Sequence, residues 1–500
     1  MRVYVRRVPT ASGATAVQVA QSQGRRVEVV EHVGSAHNVE ELALLNEVAD
    51  RIVHAGEESL FSFDGLSAAP GLVGAHVSRT YSWLLWDQLS KWWRRLGFDI
   101  IGDEVFKQVV LARIVEPTSK LEAIDVLDGL GLAAPSASTI YRSLRRCGNL
   151  DYRGLLSMAC WNKVAADGPV GLLMYDVTTL WFEIHEEDDF RKSGYSKERR
   201  LEPQIIIGLL VDRHGFPLAI HAFEGNKAET LTILPVVKEF MASHNLPRLT
   251  IVADAGMLNE KNLAGLEDAG LDFVVGSKTT KFPYYLDAYA DTHPQDADPV
   301  DGWIRWWHMP IPPGGRRRNL IIQYRVKRAR LDLLNIGKQV AKATLMVAGD
   351  KPVTHVRFIT IQGGKRGLNQ PVIERAKRLA GYKGYVTNLP LDGPDSVDPA
   401  VLIDSYHQLY EVERSFRMSK HDLKARPVFH HRRDAIDAHI TVVFAALAIS
   451  RSIQAATGIT IRRWRKAIEP IRTADITIAG HQITIPPAIP DTVKPLLMTD

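Results

Sequence analysis

Two aspartates each follow a short apolar run of the kind that forms a buried strand. Asp176 comes after residues 171–175, and Asp254 comes after residues 249–253. A carboxylate at the end of an apolar strand is costly to desolvate unless it is paired or binds a cation. If the two strands are neighbours, the carboxylates point to a common place, where their hard oxygen atoms suit Mg²⁺ or Mn²⁺ rather than zinc. Each aspartate taken alone is equally compatible with a structural role, as the cap of a turn or of the next helix.

A third acid lies in a predicted helix between a tyrosine and a lysine. Tyr406, Glu413 and Lys420 are spaced by seven residues, about two helical turns, so they are predicted to share one face. Leu409 and Phe416 place the apolar stripe close to this face, so Glu413 is expected to be half-buried. Such a glutamate, with a tyrosine hydroxyl and an ammonium nearby, suits a phosphate held against a metal. The alternatives are a surface ladder of ion pairs, a core tyrosine and an exposed lysine.

These acids need a sheet and a helix to position them, and residues 170–278 predict both. Strands are predicted at 171–176, 205–211, 218–223, 249–253 and 272–276, with a helix at 229–243. The first three strands have short links, which favours antiparallel pairing, whereas the helix and strand that follow favour a parallel crossover. The fold class is therefore predicted as α/β, with a mixed sheet rather than a doubly wound one.

A helical region at 75–165 precedes this sheet. Helices are predicted at 103–115 and 121–127, the second with Ser119 as its cap, and a turn leads to a third helix. Helix, turn and basic helix fit a helix-turn-helix DNA-binding module. The residues of the third helix predicted to contact DNA are Ser138, Thr139, Arg142, Arg145 and Arg146. Short helical hairpins are common, however, and the arginines are also compatible with a solvated face.

Residues 279–395 are predicted to form a β-rich insertion punctuated by proline and glycine. Its predicted strands are 321–324, 343–347, 356–361 and 385–389. The stretch from 313 to 330 carries seven positive charges and no acid, and is predicted to contact phosphates without reading sequence. The remaining segments are a β-rich start at 1–60 with a helix at 39–53, a linker at 62–74, a second half of the core at 396–460 and a tail at 461–500.

Composition limits the class of protein. The 500 residues are 45% hydrophobic and 24% charged, which excludes a mainly disordered chain, a collagen-like fibre and a disulfide miniprotein. The net charge of +5 permits a polyanionic partner without proving one. Two cysteines form neither a disulfide framework nor a metal motif, and they favour a reducing, cytoplasmic setting. The longest apolar run, 440–449, is too short to span a bilayer, so a buried helix and no membrane partner are expected.

Taken together and in order, these residues resemble bacterial insertion-sequence transposases of the Asp-Asp-Glu (DDE) class. The likeness is closest to the branch with a Tyr-x2-Arg-x3-Glu-x6-Lys signature and a β-rich insertion before the last acid. Tyr406, Glu413 and Lys420 match at the right spacing, and Leu409 stands at the position of the arginine. The other similar segments are 117–120, 138–146, 176–179, 223–230 and 423–430, so the resemblance covers about residues 100–440.

The resemblance implies a ribonuclease-H-like core, interrupted by the insertion, that works with two Mg²⁺ or Mn²⁺ ions. Asp176 would bridge the two ions, and Asp254 and Glu413 would each complete one. Water would free a 3′-OH at the transposon end, and this hydroxyl would attack target DNA. The implied partners are the terminal inverted repeats and the target DNA, bound by a homodimer on paired ends at the nucleoid in the cytoplasm.

The resemblance also implies which residues hold the DNA. Tyr406 and Lys420 would hold the phosphate beside the scissile bond, with Arg414 or Arg417 in place of the missing signature arginine. The candidates for stacking on a flipped base are Trp303, Trp306 and Trp307, for which a core position is the alternative. Two other functions stay open from the sequence: a nuclease of the same fold that only cleaves, and a DNA-binding regulator without catalysis.

Overall fold

The computed structural model describes residues 2–10, 14–23, 26–36, 39–53, 76–168, 170–183, 186–194, 201–246, 248–254, 256, 259–277, 283–294, 299–311, 316–350, 357–362, 365–478 and 481–498. The chain divides into two compact units, one made of Met1–His76 and Thr477–Gln482, the other of Val77–Ile476 and Ile483–Asp500. The predicted linker at 62–74 lies outside the described residues.

The smaller unit is a three-stranded antiparallel sheet packed against one helix. The strands are β1 (Arg2–Pro9), β2 (Thr15–Gln23) and β3 (Arg26–Ala36), paired in that order, and the helix is α1 (Val39–Val53). Val17, Val19 and Ala49 form its buried core. The alternation of apolar and polar residues thus forms strands with one buried face, as the sequence predicts.

The larger unit starts with a strand and a group of helices. These are β4 (His76–Tyr81), α2 (Trp83–Arg95), α3 (Glu104–Val115), α4 (Ala123–Gly129), α5 (Ala137–Asn149) and α6 (Tyr152–Ala166). Ahead of α4, the Glu122 N–H donates to Ser119 Oγ at 3.1 Å, and the Ser119 N–H donates to Glu122 Oε2 at 3.0 Å. This reciprocal pair confirms the predicted capping role of Ser119. The predicted helices are present, and their use as a helix-turn-helix stays a prediction.

Asp103 ties three of these helices together. Its carboxylate accepts hydrogen bonds from the Phe106 N–H at 3.1 Å, Ser143 Oγ at 2.9 Å, Arg146 Nη2 at 2.6 Å and Tyr152 Oη at 3.0 Å. Burial by itself raises the pKa of Asp103, but these donors outweigh burial and hold the pKa below its usual value. The guanidinium of Arg146, predicted to contact DNA, therefore has a structural partner inside the protein.

An eight-stranded mixed sheet forms the centre of the larger unit. Its first strands and the helices between them are β5 (Leu172–Trp181), β6 (Gln204–Asp212), β7 (Pro217–Glu224), α7 (Ile233–His244), β8 (Thr250–Ala253), α8 (Glu260–Asp268) and β9 (Asp272–Ser277). β6 pairs antiparallel with β5 and β7, whereas β8 pairs parallel with β5 and β9. The antiparallel and parallel pairs are those predicted, but only the link between β6 and β7 is short, since residues 182–203 separate β5 from β6.

The insertion is mixed α/β rather than β-rich. It contains α9 (Pro283–Thr292), β10 (Ile304–His308), β11 (Asn319–Tyr324), α10 (Val326–Ala348), β12 (Ile359–Gln362), β13 (Lys365–Leu368), α11 (Gln370–Arg378) and β14 (Tyr382–Thr387). β10, β11 and β14 extend the main sheet, whose order is β10-β11-β14-β9-β8-β5-β6-β7. The strand predicted at 343–347 is wrong, because these residues lie in α10. Ile336, Ala343 and Met346 are buried there at helical spacing, and a short apolar run alone does not distinguish the two structures.

Helices follow the insertion and pack on the sheet. They are α12 (Pro399–His407), α13 (Tyr410–Arg417), a π-helical turn (Met418–Asp422), α14 (Arg433–Thr457) and α15 (Ile461–Ile468), before β15 (Thr473–Ile478) and β16 (His481–Ile485). β16, β15 and β4 form a separate sheet in that order. α14 is long and apolar enough to cross a membrane, but 94% of its most apolar window is buried inside the fold. The buried helix predicted at 440–449 is confirmed.

Candidate active site

The two predicted aspartates belong to neighbouring parallel strands. β5 and β8 pair with Met174 beside Val252, and the same register continued by two residues places Asp176 beside Asp254. Residues in register on parallel strands point to the same face, so the two carboxylates share a face of the sheet. Asp254 follows β8 directly, as predicted, whereas Asp176 lies inside the ten-residue β5 and not at its end. The error arises because residues 177–181 are rich in β-branched and aromatic side chains and continue the strand.

Asp254 accepts a hydrogen bond from Tyr406. The Tyr406 Oη donates to Asp254 Oδ1 at 2.8 Å, which brings together two residues that are 152 positions apart. The Tyr406 side chain is 5% exposed and packs on Tyr385, with ring centroids 5.0 Å apart. Burial and the charge of Asp254 raise the pKa of Tyr406 above its usual value, so the phenol stays protonated and donates. Tyr406 is therefore both a core aromatic and a direct partner of a predicted metal ligand.

A lysine that sequence reasoning missed lies against this tyrosine. The Lys383 Nζ, from β14, is 4.2 Å from the centroid of the Tyr406 ring and 5.5 Å from that of Tyr385. The pKa of Lys383 is lowered to about 8, first by burial and then by the charge of Arg328, against the opposing charge of Asp254. The sequence signal is weak, because the predicted strand begins at residue 385 and a lysine just before it resembles an ordinary loop residue.

Asp176 lies on the face of the sheet that α13 and α14 cover. Thr178 is two residues further along β5 on the same face, and it lines a small cavity with Phe416 and Lys420. Asp176 is half-buried, and its Oδ1 accepts a hydrogen bond from the Val177 N–H at 2.8 Å. Lys420 is half-buried on the Asp176 side of the sheet, so it is not an exposed helix lysine.

Glu413 is exposed, so the prediction of a half-buried glutamate is wrong. The buried acid of α13 is Glu411, whose carboxylate pairs with Arg451 Nη2 and Arg414 Nη1, each at 2.7 Å. Glu411 packs against the turn between β6 and β7, where a Cβ added at Gly215 would lie 2.9 Å from the Glu411 Cβ. Glu413 comes two residues later, about 200° around an α-helix, and therefore points away from that turn.

The single helix predicted to carry the signature is three consecutive elements. Tyr406 lies in α12, Glu413 in α13 and Lys420 in the π-helical turn. Between residues 406 and 412, three backbone hydrogen bonds span three residues instead of four, as in a 3₁₀ turn. Because 3₁₀ and π turns contain different numbers of residues from an α turn, a spacing of seven does not keep the three side chains on one face.

Buried groups dock the chain that follows the π-helical turn. Arg113 Nε donates to the Leu423 carbonyl at 2.9 Å, and His439 Nε2 donates to the Ala425 carbonyl at 3.0 Å. Burial, followed by the charges of Lys120 and Arg113, lowers the pKa of His439, so its ring is neutral. The free Nδ1 then accepts from Lys120 Nζ at 3.2 Å. Lys120, in a segment that contributes to the resemblance, thus has a structural role.

The candidate acids have the oxygen ligands that a divalent metal ion needs, but among the described residues the structure does not bring three of them together. Asp176 and Asp254 offer hard oxygen atoms on one face, which suits Mg²⁺ or Mn²⁺. Across the part of the chain that the structure describes, however, no group of three or more His, Cys, Asp and Glu side chains is placed to hold a metal ion. Glu413 therefore does not complete the set in this arrangement of α13.

Most of the residues predicted to contact DNA are exposed, and one of the exposed arginines, Arg146, also has a structural partner. Arg142 Nη2 donates to Thr139 Oγ1 at 3.0 Å on the exposed side of α5, and Arg146 binds Asp103. The members of the predicted set that are exposed are Ser138, Arg142, Arg145, Arg146 and Arg417. Ile140 and Leu144 face the core, so the arginines project from the opposite side of the helix.

The tryptophans around β10 lie on two faces. Trp303 is 9% exposed and packs on Tyr289 at 5.6 Å and Trp307 at 6.5 Å, between ring centroids. Trp306 points to the other face, with its ring 5.1 Å from that of His308. Trp303 therefore occupies a core position, which was the alternative to base stacking, because a buried ring cannot stack on a base without leaving the core. Trp306 and Trp307 are half-buried.

The basic stretch of the insertion is not one continuous track. Arg318 is buried, and its guanidinium pairs with Glu260 and with Glu267, the latter at 2.8 Å. For Arg318 the predicted phosphate contact is wrong, because α8 supplies its anions. Arg325 and Arg328 are exposed near the start of α10, and each has an aspartate within 3.5 Å.

Comparisons with known proteins bear on the class of the whole site. The family model described as the transposase DDE domain matches residues 175–449, which is more than half of the chain. A cryo-EM structure of the piggyBac transposase synaptic complex with hairpin DNA is 12% identical, with a TM-score of 0.36 over 75% of this chain and 69% of that chain. No curated protein matches the sequence. The family match spans β5, β8 and α13, where Asp176, Asp254 and Glu413 lie. The chain belongs to the transposase DDE domain family, and the protein is a transposase.

Proposed function

We propose that this transposase cuts DNA at transposon ends and joins the freed 3′-OH to target DNA, using Asp176, Asp254 and Glu413. The observation that supports the proposal is the parallel pairing of β5 with β8, with Met174 beside Val252, because the same register continued by two residues would put Asp176 next to Asp254. The hydrogen bond from Tyr406 to Asp254 adds a residue of the Tyr-Arg-Glu-Lys signature to the same place. Leu409 stands where that signature has its arginine.

The three acids would hold a pair of Mg²⁺ or Mn²⁺ ions, which when bound activate water and stabilise the leaving oxygen. The side chains of this chain position the acids and the DNA. Tyr406 orients the Asp254 carboxylate by donating to Oδ1, and the protonated phenol keeps that bond because its pKa is raised by burial and by Asp254. Lys420 and Arg417 offer positive charge to the phosphates beside the scissile bond.

The order of the chain along β5 supports Glu413 as the third acid. Val428 pairs with Phe182 just beyond the end of β5, and Lys420 lines the cavity beside Thr178. Lower residue numbers in this segment therefore lie beside lower residue numbers of β5, in the direction of Asp176. Glu413 lies a further seven residues back, on the helix that packs on β5 and β6.

Other surfaces would hold the rest of the DNA. The exposed Arg142 and Arg145 make α5 the candidate recognition helix of a helix-turn-helix, and the half-buried Trp306 and Trp307 are the candidates for base stacking. We assign the chain to a bacterial insertion sequence, working in the cytoplasm as a homodimer on two terminal inverted repeats. The core that carries the acids is then of the ribonuclease-H-like type.

A strand-transfer assay tests this function. Purified protein is incubated with a plasmid that carries the inverted repeats flanking its own coding region, with Mg²⁺ or Mn²⁺, and nicked and joined products are scored. We expect Asp176→Asn to lower cleavage by roughly 10³-fold, since a metal ligand contributes several kcal/mol to the transition state. Binding of the DNA end should stay within about threefold, because the phosphate contacts are untouched. Asp268→Asn, on the exposed side of α8, is the matched control and should cleave like the unmodified protein.

The same assay separates the other two functions. Cleavage without joined products would mean a nuclease, and binding without metal-dependent cleavage would mean a regulator. Cleavage that survives Asp176→Asn would remove this aspartate from the site.

A further inference from the structure

A desolvated cation from the insertion lies at the edge of the proposed site, and neither the signature nor the family match assigns it a role. Lys383 lies on β14, two strands away from β8, where the insertion rejoins the sheet. Alternate residues of a strand share a face, so Lys383 and Tyr385 both point to α12, which carries Tyr406 and His407. The ammonium is 4.2 Å from the centroid of the Tyr406 ring, and the hydroxyl of that ring donates to Asp254.

Lys383 lacks a carboxylate partner of its own. Among the residues that the structure describes, no Asp or Glu lies within 4.0 Å of its Nζ, and what holds the ammonium is the faces of two tyrosines. Cation–π contact compensates only part of the cost of taking an ammonium out of water. The charge of Arg328 also acts on Lys383 and lowers its pKa, although Arg328 itself has Asp332 at 3.5 Å. The half-buried ammonium of Lys383 would therefore be stabilised by an anion that binds against it.

Among the described residues no carboxylate pairs directly with this ammonium, and the acid whose charge acts on it, Asp254, is one that we propose for phosphodiester chemistry. A DNA phosphate next to the scissile bond would lie near Asp254, within reach of a lysine on the far side of Tyr406. A flexible four-carbon stem and three rotatable donors suit a phosphate approached as a point charge. Leu409 offers no charge at the signature position, whereas Lys383 supplies one from a different element.

We propose that Lys383 is a phosphate-contacting residue of the site, through which the insertion supplies a cation next to Asp254 and Tyr406. The inference rests on the proposed DNA-cleaving function and assigns it an additional residue. A consequence is that the strand at the end of the insertion is part of the site and not only a connection back to the core.

A cycle that combines a protein change with a DNA change tests the contact. The protein change is Lys383→Met, and the DNA change replaces one phosphate near the cleavage position by a neutral methylphosphonate, scanned over the phosphates on either side. Single-turnover cleavage and end binding are measured with Mg²⁺. A charge-assisted contact predicts that Lys383→Met lowers end binding or cleavage by about 10- to 100-fold on unmodified DNA. At one phosphate the methylphosphonate should lower cleavage or end binding by the unmodified protein to a similar extent. For Lys383→Met the same methylphosphonate should lower them by less than about twofold, because the contact is already lost.

Three further variants keep the result interpretable. Lys383→Arg preserves the charge and should stay within about fivefold of the unmodified protein. Lys377→Met removes an exposed lysine of α11 and should change neither measurement. If Lys383→Met unfolds early, Lys383→Gln replaces it, judged by an unchanged thermal midpoint. The proposal would be overturned if Lys383→Met left cleavage and end binding unchanged. It would also be overturned if the effects of Lys383→Met and of the methylphosphonate multiplied independently at every phosphate tested. Loss of the proposed function has a different signature: the unmodified protein fails to cleave, or Asp176→Asn still cleaves.

Discussion

The helical region around Asp103 and the sheet edge around Asp254 use aspartate in opposite ways. Asp103 is buried and accepts hydrogen bonds from four residues on three helices. Asp254 is exposed, and within the described residues it accepts one hydrogen bond, from Tyr406. A carboxylate whose lone pairs are filled by protein donors holds elements together, whereas one with remaining capacity can bind something that the protein does not contain. The two acids thus differ both in burial and in the number of protein donors that they accept from.

The same contrast occurs within one helix. Glu411 and Glu413 are two residues apart on α13, yet Glu411 is clamped by Arg451 and Arg414 while Glu413 is exposed. Burial raises the pKa of Glu411, and the hydrogen bonds from Arg451 and Tyr410 more than reverse this, so its pKa is below the usual value. Glu411 is therefore a charged structural acid that fixes α13 against α14 and the turn between β6 and β7.

Replacing each of these two glutamates by glutamine should give the largest difference in stability and in cleavage between two variants. Glu411→Gln leaves Arg451 buried without its carboxylate and should lower the free energy of unfolding by about 3 kcal/mol. Glu413→Gln should change stability by less than about 0.5 kcal/mol and lower cleavage by roughly 10³-fold. Urea denaturation and the plasmid cleavage assay measure the two effects, and each variant is the control for the other. A stable, inactive Glu411→Gln together with an active Glu413→Gln would reverse the assignment of the two acids.

Asp103 should show the pH dependence of a structural acid. Its pKa is lower in the folded protein than in the unfolded chain, so its contribution is present above the unfolded value and is lost as the pH falls through the folded value. At pH 7, Asp103→Asn should cost about 2 kcal/mol, because a charged acceptor of several hydrogen bonds is lost. The difference between the variant and the unmodified protein should shrink below about pH 4. Urea titrations at several pH values measure it, with the exposed Asp99→Asn as control. A pH-independent difference would contradict the role of the charge.

Tyr406 should show the smallest effect. Tyr406→Phe keeps the ring packed on Tyr385 and removes the hydrogen bond to Asp254, so cleavage should fall by about fivefold, as expected for a bond worth about 1 kcal/mol. The control is Tyr385→Phe, which removes a hydroxyl 3.1 Å from His407 and should leave cleavage within about twofold. Equal losses in the two variants would show that the effect comes from the aromatic packing and not from Asp254.

Much of the local structure follows from the sequence pattern. The antiparallel and parallel strands, the helices before the sheet, the cap at Ser119 and the buried α14 were predictable, because each depends on periodicity or on residues close in sequence. The strand predicted at 343–347 is wrong, because five residues of which four are apolar are too few to reveal the longer helical spacing of α10. The prediction of a half-buried Glu413 failed because 3₁₀-type hydrogen bonds between residues 406 and 412 interrupt a segment whose sequence pattern predicts one continuous helix.

What the sequence by itself determined is the set of acids and the signature around Glu413, because a chemical type and its spacing are written directly in the chain. Only the tertiary structure decided which of these groups meet. The parallel pairing of β5 with β8 brings the strands of Asp176 and Asp254 together, and the packing of α12 carries Tyr406 to Asp254. It also decided that Arg146 and Arg318 serve the fold, since each meets a buried acid from a distant segment. Lys383 joins the site for the same physical reason: a strand that returns from the insertion pairs with β9, and pairing across the sheet brings together residues that no local pattern connects.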